Sequence, residues 1–138
     1  MLPFLRRLPL KQVATVCQEA GARPRQVLEG LFQGLPELLM ACVVEVQSGK
    51  LRAFYTLSKA YNPHHICVRE AKLLGTMQQA HANQLPAGGS LIEVTVVLDE
   101  ELHHIRLLHA SQWYCYVAVR TADANLALTR EVVRRCAF

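Results

Sequence analysis

Leu91-Ile92-Glu93-Val94-Thr95-Val96-Val97-Leu98 is the most strongly β-patterned stretch of the chain, apolar, rich in β-branched residues and carrying one charge. Such a segment reads as a strand. Left as an open sheet edge it is a template for further pairing, because its backbone donors and acceptors go unpaired. Pairing with the same strand of a second copy would remove that hazard through a self-complementary two-fold contact.

Two more strands follow at short intervals. Asp99-Glu100-Glu101 is expected to turn into a strand over residues 103–109, and Ala110-Ser111-Gln112 into one over residues 113–119. Connections this short favour an antiparallel meander. Upstream, Ile66 to Leu85 holds no proline and ends at Pro86-Ala87-Gly88-Gly89. Asn62-Pro63 supplies its N-cap and first-turn proline, which predicts the longest helix of the chain. Before it, Ala41 to Val46 and Leu51 to Leu57 flank Gln47-Ser48-Gly49-Lys50, a hairpin pattern. Ala41 and Val43 alternate with Cys42, Val44 and Val46, apolar on both faces, so helices should cover the sheet on both sides.

The ends are helical by periodicity. Leu10, Val13, Ala14 and Cys17 recur at helical spacing before Gly21. A second helix opens near Pro24, with Val27, Leu28, Leu31, Phe32 and Leu35 as its apolar stripe. Asp123 is placed to cap a last helix through Cys136. The expected architecture is α+β: a five-stranded antiparallel sheet with helices on both faces. Residues 1–23 form an N-terminal helical extension and residues 24–138 the main domain.

Composition narrows the function. A chain of 138 residues with 51% apolar residues can build a core without metal or disulfide staples. No apolar run is long enough to span a bilayer, and Arg6-Arg7 with Pro3 and Pro9 interrupts any export signal. Five separated cysteines, none in a C-x-x-C pair, suit reduced buried thiols and a cytoplasmic setting. A net charge of +4 without a dense basic stripe does not suggest nucleic-acid binding.

The six histidines offer no ligand set at metal spacing. His103 and His109 can share a strand face that His104 cannot. Gly88-Gly89 and Ser48-Gly49-Lys50 match neither phosphate-loop pattern, and no serine sits in a nucleophile elbow. No enzyme activity, cofactor or metal is expected.

Ala124-Asn125-Leu126-Ala127-Leu128-Thr129-Arg130, followed by Glu131 to Arg135, resembles the closing motif of the Roadblock dynein-light-chain superfamily, in which an alanine-asparagine pair opens the last helix. The Val43–Phe54 hairpin and the long helix before the 91–98 strand are similar to that family in order and length. The chain departs from it in having Ala110-Ser111-Gln112 where members often carry an Asp-Gly-type turn, and in the residues before Arg23.

The resemblance implies a homodimer that pairs these strands edge to edge and packs the long helices side by side. It further implies an adaptor or regulator whose outside partner is a Ras-like small GTPase. The expected dimer residues are Leu91, Ile92, Val94 and Val96, with Ala71, Gly75 and Gln78 on the long helix, where Ala82 also falls near one face. Arg69, Lys72, Gln79 and Glu93 are candidates for partner contact. Two alternatives remain: a small-ligand sensor with a pocket around Trp113, Tyr114 and the histidines, and a scaffold with no GTPase partner.

Overall fold

A computed structural model of the chain describes residues 23–35, 37–57, 61–84, 91–108, 112–122 and 125–136, with the backbone alone at 14–15 and 82–84. The elements run β1 (Ala14–Thr15), α1 (Arg23–Gly34), β2 (Leu38–Glu45), β3 (Leu51–Thr56), α2 (Pro63–Gln84), β4 (Glu93–Val97), β5 (Glu101–Leu108), β6 (Trp113–Arg120) and α3 (Leu126–Cys136). One antiparallel sheet orders them β1-β3-β2-β6-β5-β4.

The five expected strands are all present, with helices on both faces. β2 and β6 form the centre, and Ala41 to Val44 and Tyr114 to Val119 are buried on both sides, which explains why neither reads as alternating. On one face α1 and α3 bury Leu28, Leu31 and Phe32 with Val132 and Val133 against Val43, Tyr55, Cys115 and Val117. On the other, α2 lays Cys67 and Leu74 over Met40, Cys42, Tyr114 and Tyr116. A bulge between Val43 and Val44 sets Leu51 opposite Val44, so Leu51 joins the α2 face while Ala53 and Tyr55 stay on the other.

Local chemistry fixes the element ends. Gly49 holds a φ of 70° in the β2–β3 turn, a left-handed conformation that favours glycine. Asn62 caps α2 as expected, its Oδ1 accepting from the amides of His64 at 3.1 Å and His65 at 3.2 Å. At α3 the described cap is Asn125, whose Oδ1 accepts from Leu128 N at 3.1 Å. Asp123, expected as the cap, lies outside the described residues, as do Gly21, Pro86 to Gly89, His109 and Ala110-Ser111.

Two expectations need correction. Glu101, expected in a turn, opens β5 and pairs with Arg120. The helix expected over residues 10–17 falls mostly outside the described residues. Its two described members, Ala14 and Thr15, are extended and pair with Phe54 and Ala53. Backbone pairing to the β3 edge overrides the helical spacing there.

Candidate protein-interaction site

β4 ends the sheet. Ile92 O accepts from Leu107 N at 2.9 Å and Leu98 N donates to Glu101 O at 2.8 Å, so the backbone groups at these even positions turn toward β5. Alternation along an antiparallel strand then turns those of Glu93, Thr95 and Val97 outward. Among the described residues no strand meets them. Exposed apolar side chains accompany this open backbone: Ile92 at 54%, Val97 at 62% and Leu98 at 49%.

The two faces of β4 differ chemically. Val94 and Val96 stand beside Ile105 and His103 on the α2 face. There, Ile66, Arg69 and Leu73 of α2 form, with Val96, Leu98 and His103, a groove of about 610 Å³ that opens beside the strand edge. A polar chain crosses its floor. Tyr61 Oη donates to Glu101 Oε2 at 2.6 Å, Glu101 Oε1 lies 2.8 Å from His103 Nε2, and His103 Nδ1 meets the Tyr116 hydroxyl. The Tyr61 hydrogen bond, ahead of the His103 contact, holds the Glu101 carboxyl below its ordinary range. Burial, with Glu101 adding to it, pushes the Tyr61 phenol up to about 12.

On the other face Glu93 faces inward with only 15% of its side chain exposed. Arg106 Nη1 donates to its Oε1 and Arg130 Nε to its Oε2, both at 2.6 Å. Burial alone would raise this carboxyl; the two arginines outweigh it and hold it low.

The residues picked out in the sequence therefore divide. Leu91, Val94 and Ala71 pack half-buried against the α2-face core, and Ile92 is exposed at the edge. Arg69 joins Val96 at the groove, where it pairs with Glu70. Ala71, Gly75 and Gln78 follow one another at helical spacing on a different flank of α2 from Ile66, Arg69 and Leu73. His64 shares that flank, and its ring lies 6.4 Å from Phe54 of β3. Lys72 and Gln79 are exposed. Val97, Ile66, Leu73 and the Tyr61–Glu101–His103 chain escaped sequence reasoning; alternation sets His103 apart from His104 but does not reveal a partner as distant in sequence as Tyr61.

A Cβ at Gly75 would meet nothing within 4 Å. Gly75→Ala is therefore expected to stabilise the chain by about 1 kcal/mol through helix propensity, read in urea unfolding. A simultaneous loss of self-association would assign this flank to a close helix–helix contact.

The pocket expected around Trp113 and Tyr114 does not form from both. Trp113 packs on the α1/α3 side, while Tyr114 is buried on the α2 side with its hydroxyl donating to Cys67 O at 3.1 Å. Among the described residues no group of three or more histidine, cysteine or acidic side chains could hold a metal ion, and no helix is long and apolar enough to cross a membrane. Three thiols are raised, Cys42 chiefly by its contact with Cys67, and Cys115 and Cys136 by burial.

A β-hairpin, a long helix, a three-strand meander and a closing helix, arranged on one antiparallel sheet, make this a Roadblock-type fold. Solved structures bear that out. The chain superposes on Myxococcus xanthus MglB with a TM-score of 0.69 at 9% identity, covering 81% of this chain and 82% of that one. For MglB in a tetrameric arrangement the values are 0.68 and 15%, over 84% and 85%. For a Roadblock/LC7 domain from Streptomyces avermitilis they are 0.64 and 20%, over 79% and 90%. At these identities the likeness is one of fold. No protein-family model matches the sequence, and no curated protein matches it.

Proposed function

We propose that this chain is a homodimeric adaptor or regulator that acts through contact surfaces, with a Ras-like small GTPase as its outside partner. The observation that carries the first half is the open β4 edge, with outward backbone at Glu93, Thr95 and Val97 and exposed Ile92, Val97 and Leu98. A long apolar edge is a liability for a lone chain and an asset for a paired one. Leu91, Ile92, Val94 and Val96 form the self-pairing strand in this reading. The tetrameric arrangement of MglB, a protein of like fold, supports self-association.

Ile66 and Leu73 look toward the β4 edge, whereas Ala71, Gly75 and Gln78 form a strip on the flank nearer β3, so a second helix lying on them makes a contact separate from the strand pair. Arg69, Lys72 and Gln79 offer the outside partner charge and hydrogen bonds. Glu93 acts behind them by holding the edge in place. The GTPase half is supported by the resemblance of the Ala124-Asn125 block and by the likeness of fold to MglB.

Light scattering after size exclusion tests the pairing: a folded monomer at micromolar concentration would sink it. The GTPase assignment stands on recovering, from native extract, a GTPase whose hydrolysis rate changes when this protein is added. Recovery only of proteins that bind no nucleotide would favour a scaffold.

A further inference from the structure

His104 is fully buried on β5, beneath the edge strand. Its Nδ1 lies 2.7 Å from Thr95 Oγ1 of β4, while its Nε2 has no hydrogen-bond partner among the described residues. That nitrogen sits 3.6 Å from Glu93 Oε1, too far for a hydrogen bond. The carboxylate is drawn away by Arg106 on β5 and by Arg130 on α3. The remaining neighbour across the sheet is the apolar Val117 of β6. One carboxylate thus serves two arginines beside an imidazole left with an idle ring nitrogen, and that carboxylate is also the link between β4 and α3.

We propose that His104, Glu93 and Arg130 form a proton-operated latch between the edge strand and helix α3, in which a proton on His104 Nε2 takes Glu93 from Arg130 and frees the helix from the strand. A protonated imidazole can hydrogen-bond Oε1 only if the carboxylate turns toward it across the 3.6 Å that now separate them, and that turn draws Oε2 away from Arg130. Arg106 is held across the strand pair with 19% of its side chain exposed, whereas Arg130 is 55% exposed and returns to water at little cost.

Burial opposes the charged imidazole, Glu93 favours it, and Arg130 and Arg106 oppose it; the balance lowers its pKa in the folded chain. An unfolded histidine protonates near about 6.5, so the folded site contributes its full stability above that value. The contribution declines as pH falls through the window between the unfolded and the folded values, by at most about tenfold in the equilibrium per pH unit for one proton.

The latch is a property of a single chain; its effect on pairing rests on the function proposed above. NMR titration of the His104 ring in the full chain and in Arg130→Gln tests it. Removing Arg130 is expected to move the ring midpoint upward. In the parent, exchange of the Arg130 Nε proton, corrected for free arginine, should quicken as His104 protonates, by up to about tenfold per pH unit. A midpoint unmoved in Arg130→Gln, or an Arg130 signal indifferent to His104, would overturn the latch. His104→Gln should make the Arg130 signal independent of pH, and the Arg130→Gln comparison decides the matter if that variant fails to fold. Sedimentation at about pH 7.5 and about pH 5.5 reads the consequence, with weaker self-association expected at the lower value. A chain monomeric at both would remove the pairing proposal while the ring titration still judges the latch.

Discussion

Val97→Pro leaves the chain folded and cuts self-association by about 100-fold or more, the loss expected when two outward hydrogen bonds per dimer are removed and a ring is set against the partner strand. The argument is one of direction. Val97 N–H belongs to the set that points away from β5, so proline removes no bond of the β4–β5 ladder. Its side chain is 62% exposed, so little packing is lost within the chain. Val97→Thr, which keeps the amide and the β-branched shape, should self-associate within a few fold of the parent. Sedimentation velocity over a dilution series measures all three proteins. If the proline variant associates like the parent while remaining folded, the edge is not where copies meet.

Gly34→Ala destabilises the fold by about 1–3 kcal/mol, the usual cost of overpacking, offset by less than about 1 kcal/mol of helix propensity at this helix-terminal site. An added Cβ would stand 2.5 Å from Val132 Cγ1 and 2.9 Å from its Cγ2. Valine has few alternative rotamers in a helix and cannot turn aside, so α1 and α3 must separate. One turn earlier, Gly30 makes a similar approach to Cys136 Sγ, at 2.9 Å from an added Cβ. The two glycines let the helices share the sheet face. Urea unfolding should show a lower midpoint with an unchanged slope. Val132→Ala in the Gly34→Ala background should recover part of the loss, giving a coupling energy that independent sites would not show.

The sheet was legible in the sequence because its strands are short β-branched runs separated by turn residues, and Asn62-Pro63 and Gly49 mark their junctions chemically. Much of the candidate site was less legible, for a different reason. Periodicity says that α2 is a helix with a buried face, but not which flank looks toward β4. That depends on how the helix sits on the sheet, and it separates Ala71 and Gly75 from Ile66 and Leu73. Glu93 read as a lone charge on an apolar strand, whereas its partners Arg106 and Arg130 lie 13 and 37 residues away. Long-range pairing of this kind leaves no local pattern. The same holds for Ala14, which shares a helical spacing with Leu10, Val13 and Cys17 but whose conformation is set by β3.

That short strand bears on how large an assembly can grow. A sheet open on both sides could add neighbours indefinitely, as fibres do. Here one side carries β1 against Ala53 and Phe54, and the other is bare. Two copies joined at their β4 sides would turn only β1 sides outward, where a strand of two residues offers too short a ladder to continue the sheet, so propagation by strand pairing ends at two. A point-group assembly then follows from an asymmetry within each chain. A strand of two residues, Ala14–Thr15, thus decides that the product is finite.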